Sequence, residues 1–390
     1  FTSAKNQKNI DRLKEEHLKL SDVAKSRSVV IDDMPVIVSL IYSIHGNEAS
    51  GVNASLAVAY HLAAAQGPEI EELLDQEIVV MTPGANPDGI NRFASWVNSS
   101  RSFTNVSDIK SREFTEPWPS SRTNHYWIDC NRDLLMAQHP EGINGLNGYF
   151  EWLPNVVVDQ HEQGALRPYY FSPGHPKRTH PFTPQLNQDL TAEISSYTAK
   201  ALDRIGTTYY SKEGYDDFYY GKGAAYGDAH GSVCLLYEQG STRGHLRNTP
   251  SGEWTFGWTI RNTASEAQKE AVQGYVFDTR GSKSVAFHFL ENMARHHIEV
   301  YQLAKDYQAA GDKEFRKGSA YVIPVAQKYS TMVKVLMEDC LEYTDSTFYD
   351  ISTWTFPYAF NLECAPVKSV AGLMGDRIER NDFPQGRLIG

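Results

Sequence analysis

The pattern of apolar positions along most of the chain predicts alternating strands and helices. The run from Pro35 to Ile44 is nearly all apolar and rich in β-branched residues, which is typical of a strand buried on both faces. The alanine-rich segment from Gly51 to Ala65 then favours a helix. The same reasoning predicts strands over Glu77–Met81, Asn155–Asp159 and Ser232–Tyr237, and an amphipathic helix over Leu186–Ile205. We therefore expect an α/β fold with a mixed, mostly parallel central sheet flanked by helices.

The pattern changes after about Gly318, where short β-like pieces replace the longer elements. Two examples are Ala320–Val325 and Thr353–Phe360. We therefore expect a catalytic domain over residues 1–317 and a small C-terminal accessory region over residues 318–390, which is incomplete at Gly390.

Composition and charge narrow the classes of partner. The 390 residues are 41% hydrophobic and 22% charged, which is typical of a globular protein, and no apolar run reaches the roughly 20 residues of a membrane span. The formal net charge is −11 and no dense cluster of Lys and Arg occurs, which argues against nucleic-acid binding. We expect a peptide or a small acyl-amino-acid as substrate, no transmembrane segment, and an oligomeric state that the sequence leaves open.

Polar residues fall where three of the predicted strands end. His45 and Glu48 follow the first strand, His161 follows the strand that ends near Val158, and Glu238 follows the strand that ends at Tyr237. Sites in open α/β sheets form just beyond the carboxyl ends of strands, so these side chains are expected to meet in one crevice. Two histidines and a carboxylate form a catalytic zinc set that leaves one coordination position for water.

The chain resembles the M14 family of zinc carboxypeptidases through five motifs that occur in family order. They are HGNE (residues 45–48), NPDG (residues 86–89), SRTNHYWIDCNRD (residues 121–133), DQH (residues 159–161) and LLYEQG (residues 235–240). The resemblance extends from about Pro35 to His297. It implies the zinc carboxypeptidase fold and the hydrolysis of C-terminal peptide bonds.

The resemblance also implies a metal site and its base. His45, Glu48 and His161 would bind one Zn²⁺ per chain, and Glu238 would act as general base towards the attacking water. Asp129 resembles the carboxylate that holds the ring of the first histidine ligand, which is His45 here.

The substrate-binding roles follow from the same motifs. Arg122 would polarise the scissile carbonyl, and Asn131 with Arg132 would grip the terminal carboxylate of the substrate. A tyrosine upstream of the base is also expected in the site, and four compete for this role: Tyr215, Tyr219, Tyr220 and Tyr226. We assign the catalytic role to Tyr219 and a substrate contact to Tyr220. The segment between Tyr219 and Glu238 is compressed relative to the family pattern, so the preferred side chain of the substrate is left open.

Two other functions remain in competition with a metallocarboxypeptidase. One is a related zinc enzyme on the same scaffold, either a deacylase of N-acyl amino acids or a peptidase that trims cell-wall peptides. The other is a peptide-binding module without catalysis, and a carboxylate at Glu238 beside a complete ligand set argues against it. The chain starts at Phe1 without an initiator Met, which favours a processed or truncated chain and an extracellular or periplasmic location. The four cysteines lack metal-ribbon spacing and are expected to be free or core thiols.

Overall fold

The computed structural model describes residues 1–104, 108, 110–164, 167–241, 272–279, 281–311, 313–337 and 355–379. Contacts divide the chain into two compact units. The first comprises Phe1–Ala264 with Thr347–Asp350, and the second comprises Ser265–Ser346 with Ile351–Gly390.

The described part of the first unit alternates helices and strands, as the sequence predicts. Its strands are β1 (Val36–Tyr42), β2 (Glu77–Thr82), β3 (Val156–Gln163), β4 (Tyr169–Phe171), β5 (Tyr209–Tyr210) and β6 (Val233–Gly240). Its α-helices are α1 (Ala4–Gln7), α2 (Ile10–Lys19), α3 (Val23–Ser26), α4 (Ser50–Ala64), α5 (Pro68–Gln76), α6 (Pro87–Ser100), α7 (Pro140–Trp152), α8 (Gln185–Ile205) and α9 (Gly223–Tyr226). Short 3₁₀ helices cover Cys130–Arg132, Pro176–Arg178 and Gly227–His230.

The six strands form one sheet in the order β2-β1-β3-β6-β4-β5. All neighbours are parallel except β4 and β6, which pair antiparallel. One face of the sheet packs on α8 through Ile194 and Leu202, and the other face packs on α2 through Leu13. The predicted fold class is therefore confirmed, because apolar side chains of the central strands are covered by helices on both faces.

Two predicted strand ends are wrong. β3 does not end at Val158 but continues to Gln163, so His161 lies inside the strand. The residues that follow Val158 are polar, which is typical of a loop, but their backbone stays paired with β6. Glu238 likewise lies inside β6. These two side chains are therefore held by strand backbone.

The second unit contains β7 (Gly274–Asp278), α10 (Lys283–Arg295), β8 (Tyr301–Leu303), β9 (Tyr307–Gln308), β10 (Glu314–Phe315), β11 (Ala320–Pro324), α11 (Ser330–Met337), α12 (Phe356–Ala359), β12 (Glu363–Val367) and β13 (Met374–Arg377). Five of its strands form an antiparallel sheet in the order β12-β7-β11-β8-β13. Strand β7 pairs with β11 and β12, which follow the predicted boundary at residue 317. The division between the two compact units therefore lies earlier in the chain than residue 317.

A smaller correction concerns the piece predicted as β-like over Thr353–Phe360. Thr353 and Trp354 lie outside the described residues, and the next residues form the short helix α12. Pro357 near the start of that helix is compatible with a first turn, where no backbone N–H is needed. Among the helices of the described residues, none has both the length and the apolar character to cross a membrane.

Candidate metal centre and active site

The loop that follows β1 carries two of the predicted metal ligands and is held close to the start of α6. A Cβ atom placed on Gly46 would lie 2.1 Å from the carbonyl carbon of Gly89, so neither residue leaves space for a side chain at this crossing. Asn86 supports the same crossing, because its Oδ1 accepts from the Gly89 N–H at 2.9 Å. Its Nδ2 donates to the Arg122 carbonyl at 3.1 Å. The NPDG motif thus positions both the ligand loop and the loop that carries Arg122.

His45, Glu48 and His161 place their donor atoms together in a buried cluster. The Nδ1 atoms of the two histidines are 3.1 Å apart. His45 Nδ1 is 2.8 Å from Glu48 Oε1, and His161 Nδ1 is 2.8 Å from Glu48 Oε2. One donor atom from each residue lies within 4.8 Å of the others, and all three side chains are buried. The structure thus brings the three predicted ligands to one point.

A carboxylate lies behind each of the two histidines. His45 Nε2 is 3.0 Å from Asp129 Oδ1, and His161 Nε2 is 2.8 Å from Asp159 Oδ2. A carboxylate only accepts, so each Nε2 can donate to its carboxylate, and a neutral imidazole held in this way offers its Nδ1 lone pair to a cation in the cluster. The two Nδ1 atoms, 3.1 Å apart, and the Glu48 carboxylate would then present three donors to one cation. The donor set therefore fits a zinc ion, for which neutral imidazole and carboxylate are common ligands.

Charge within the cluster shifts the protonation of its members. Burial raises the pKa of Glu48, but attraction to His45 and His161 outweighs burial and lowers it overall. Burial also opposes the charged form of His161, and Asp159 and Glu48 nevertheless raise its pKa well above the usual value. Both shifts come from the mutual attraction between the imidazoles and the carboxylates of the cluster, which favours the charged form of each.

Glu238 lies beside this cluster on the neighbouring strand. Its Cα pairs in register with that of His161 across β3 and β6. Burial raises the pKa of Glu238 to about 8, against the lowering effect of His161 and Arg122. Glu238 is only 7% exposed, so its carboxyl group is held in a largely desolvated environment. A group whose pKa lies near neutrality suits general acid–base chemistry.

Arg122 reaches the edge of the same cluster. Its Nη2 is 2.8 Å from Asp129 Oδ2, its Nε donates to the same oxygen at 3.0 Å, and its Nη1 is 3.7 Å from Glu48 Oε1. The side chain is 40% exposed, so the guanidinium retains donors towards solvent. Asp129 is therefore shared between Arg122 and His45, as expected of a carboxylate that orients both.

The predicted substrate contacts Asn131 and Arg132 differ in accessibility. Asn131 is 4% exposed, its Oδ1 accepts from the Gly223 N–H at 2.7 Å, and its Nδ2 donates to Asp159 Oδ2 at 3.1 Å. This amide lies beneath His161 and supports the carboxylate that holds it. Arg132 is half-buried, and its Nη1 donates to the Asn131 carbonyl at 2.8 Å. The guanidinium is thus the more accessible of the two predicted carboxylate contacts.

The two predicted tyrosines are buried, and their hydroxyl groups contact the protein. The Tyr219 hydroxyl donates to the Arg132 carbonyl at 3.0 Å. The Tyr220 hydroxyl is 2.7 Å from Thr183 Oγ1. Tyr219 therefore supports the backbone of the predicted carboxylate contact, and the direct catalytic and substrate roles of both tyrosines stay predictions.

Sequence reasoning missed two acidic residues of the site. Asp159 was read as part of the DQH motif without a role, although its spacing of two from His161 on a strand was visible. Glu116 joins the ligand loop to the Arg122 loop, because it accepts from Asn47 Nδ2 at 2.9 Å and from the Ser121 N–H. No motif marked Glu116. Of the cysteines, Cys130, Cys234 and Cys364 are free thiols, and Cys340 lies outside the described residues.

Solved structures to which this chain is similar include metallo-carboxypeptidases. The metallo-carboxypeptidase from Burkholderia cenocepacia is 19% identical with a TM-score of 0.39, and the match covers 54% of this chain and 49% of that one. The metallo-carboxypeptidase from Pseudomonas aeruginosa is 15% identical with a TM-score of 0.37, and the match covers 53% and 48%. Carboxypeptidase A from Helicoverpa armigera is 13% identical with a TM-score of 0.33, and the match covers 59% and 56%. This chain thus spans about half the length of these structures.

A search of curated proteins gives no match. The sequence profile described as zinc carboxypeptidase matches residues 32–226, which include the three predicted zinc ligands, Arg122, Asn131 and Arg132. Glu238 follows the matched segment. Because the match covers half of the 390 residues, this chain belongs to the zinc carboxypeptidase family.

Proposed function

We propose that the protein is a zinc metallocarboxypeptidase that hydrolyses the C-terminal peptide bond of peptides, with Glu238 as general base. The observation that carries the proposal is the buried cluster of His45, Glu48 and His161 with Glu238 in register beside it. Membership of a zinc-dependent family supports the choice of metal. The single set of three donors found among the described residues supports one zinc ion per chain.

Zinc held by these three residues would supply Lewis-acid polarisation of a carbonyl and would lower the pKa of a coordinated water. The protein supplies the rest of the site. Asp129 and Asp159 hold the imidazoles of His45 and His161 in the tautomer that presents Nδ1. Burial of all three ligands limits competition from solvent.

Glu238 would remove a proton from the attacking water and return it to the leaving amine. Both transfers need one group that changes its protonation state near neutral pH, and the raised pKa of Glu238, about 8, supports this role. The positive charge of zinc would favour the ionised form that accepts the first proton.

Arg122 and Arg132 would act on the two ends of the C-terminal residue. Arg122 keeps a partly exposed guanidinium beside Glu48 and Asp129, where it would stabilise the developing oxyanion. Arg132 would pair with the terminal carboxylate, and its planar fork matches the two oxygens of that group. A carboxylate contact at this position supports release of single C-terminal residues.

The proposal is tested with purified protein in two steps. Elemental analysis measures bound zinc, and removal by a chelator followed by zinc addition should abolish and then restore hydrolysis of free-acid peptides. N-acyl amino acids are assayed beside peptides, because a deacylase would use the same zinc site. Activity without a transition metal would overturn the proposal, and faster cleavage of N-acyl amino acids than of peptides would favour the deacylase.

A further inference from the structure

Two tryptophan side chains project from the loop that carries Arg122. Trp118 is 78% exposed and Trp127 is 59% exposed, although their rings contact each other with centroids 5.0 Å apart and planes inclined by 55°. We call this pair the aromatic platform. Large apolar side chains exposed together on a protein surface mark binding surfaces more often than isolated ones do.

The backbone of this loop is fixed, so the exposure is built into the fold. Asn124 Oδ1 accepts from the N–H groups of Tyr126 and Ile128 at 3.0 and 3.1 Å. Arg92 holds the other side of the loop, because it donates to the Ser120 carbonyl at 2.8 Å and to the Asn124 carbonyl at 3.1 Å.

The backbone of Trp127 is itself strained. Its φ of 62° lies in the left-handed region, which is costly for a residue with a large side chain. Such strain persists only where the surroundings impose it, and it is concentrated at binding and catalytic sites. The fold thus holds the Trp127 ring outward at an energetic cost.

The platform is attached directly to the candidate metal centre. Trp127 precedes Asp129, the partner of His45, by two residues, which span at most about 7 Å of chain. Trp118 follows Glu116 by two residues, and Glu116 binds Asn47 between two of the metal ligands. Each tryptophan therefore lies two residues along the chain from an acidic residue that contacts the loop or the side chain of a predicted metal ligand.

We propose that the aromatic platform binds an apolar or aromatic side chain of the substrate peptide on the N-terminal side of the scissile bond. The inference rests on the proposed function. An enzyme that releases a single C-terminal residue has only that residue beyond the scissile bond, and Arg132 is assigned to its carboxylate. Any further surface continuous with the site is therefore contacted by the preceding residues of the peptide.

The chemistry of the two rings defines the preferred substrate. The two inclined indole rings offer an apolar surface to a ring or a branched aliphatic side chain of the peptide. A third aromatic ring would also gain energy from tilted contacts with the indoles. Charged or small side chains would gain little there. The substrate class is thus a peptide with a large apolar residue before its final residue.

The first test uses free-acid peptides that share one C-terminal residue and differ only upstream, with Phe, Leu, Ser or Gly. Wild-type protein should cleave the Phe and Leu peptides with a kcat/KM about tenfold above that of the Gly peptide, mainly through KM. Trp118→Ala and Trp127→Ala should erase that preference and leave the Gly peptide unaffected, whereas Trp127→Phe should retain most of it. Tyr60→Ala is the matched control, because Tyr60 is 75% exposed near the far end of α4. Equal losses on all four peptides would show only a structural role and overturn the inference.

The second test measures equilibrium binding of the same peptides to the zinc-loaded Glu238→Gln variant. Selective loss of affinity for the Phe peptide in the Trp127→Ala, Glu238→Gln double variant would support the platform even if the wild type cleaved none of the peptides. Absence of cleavage by the wild type would contradict the proposed function but not the binding role of the platform. Equal affinity for all four peptides would contradict the binding role of the platform. Affinity that depends on the tryptophans only for a peptide that carries a sugar would also contradict it.

Discussion

His161 and Glu238 are register partners on adjacent parallel strands, with Cα positions paired across β3 and β6. Neighbouring strands lie about 4.8 Å apart, and paired residues direct their side chains to the same face of the sheet. A proposed zinc ligand and the proposed base are therefore held at fixed separation by the hydrogen bonds of the central sheet. Such precision is greater than a loop would give.

The first prediction follows from this pairing. Glu238→Gln should keep zinc bound but reduce peptide hydrolysis by at least a thousandfold, because the amide can neither accept nor return the proton. Zinc content and turnover are measured on the same sample. Glu213→Gln, at an exposed position, serves as control and should keep full activity. Near-normal turnover in Glu238→Gln would assign the base to another residue.

The second prediction concerns the partly exposed guanidinium beside the metal ligands. Arg122→Ala should lower kcat about a hundredfold to a thousandfold, which is the usual cost of losing one oxyanion donor. Arg122→Lys should recover only part of the loss, since an ammonium cannot reproduce the fork that contacts Asp129. Steady-state kinetics measure kcat for both variants. An unchanged kcat in Arg122→Ala would show that Arg122 does not act on the substrate.

The third prediction concerns the carboxylate behind the second histidine ligand. Asp159→Asn should weaken zinc binding about tenfold to a hundredfold, because an amide orients the imidazole of His161 less strongly. Chelator competition gives the dissociation constant without reference to activity. Asp75→Asn on exposed helix surface is the control. Equal zinc affinity in Asp159→Asn and wild type would show that Asp159 does not support the metal site.

The fourth prediction tests Asp217, a half-buried acid outside the metal cluster. Burial raises the pKa of Asp217 from 3.8 to about 6, although its Oδ2 accepts from the Gly174 N–H. The folded state then binds this proton more tightly than the unfolded state, so the stability contributed below pH 3.8 is lost as pH rises through about 6. Asp217→Asn should therefore raise the free energy of unfolding at pH 8 by about 1–2 kcal/mol.

Denaturant unfolding from pH 4 to pH 8 measures this difference. The gain of Asp217→Asn over wild type should grow up to about pH 6 and then stay level. The pH dependence of metal binding is common to both proteins and cancels in the comparison. Asp189→Asn on the exposed face of α8 provides the control. A gain that does not change with pH would contradict the raised pKa of Asp217.

The sequence predicted the sheet and the three residues that form the candidate metal centre, because both follow from local patterns. A continuous apolar run bounded by polar residues defined β1 (Val36–Tyr42) to within two residues. The HxxE spacing placed His45 and Glu48 on one turn. The extension of β3 to Gln163 was missed, because a polar strand end is recognised only from the neighbouring strand with which it pairs.

Other features of the site and of the fold depend on contacts between distant segments, so no local sequence pattern predicts them. The hydrogen bond from the Asn131 amide to Asp159, which lies 28 residues further along the chain, is one example. The boundary expected at residue 317 differs from the division between the two compact units, because β7 pairs with strands that lie beyond that residue. Long-range pairing of this kind is set by the folded chain as a whole.

The most direct test of the central claim compares one peptide with a free and with an amidated C-terminus, using zinc-loaded wild type and Arg132→Ala. Truncating one partner of a buried charge pair costs about 2–5 kcal/mol, so amidation should slow wild-type hydrolysis at least tenfold. Arg132→Ala should cleave the free acid slowly and lose most of the preference. Mass spectrometry should show release of single C-terminal residues, whereas internal cleavage or equal rates on the two peptides would contradict a carboxypeptidase.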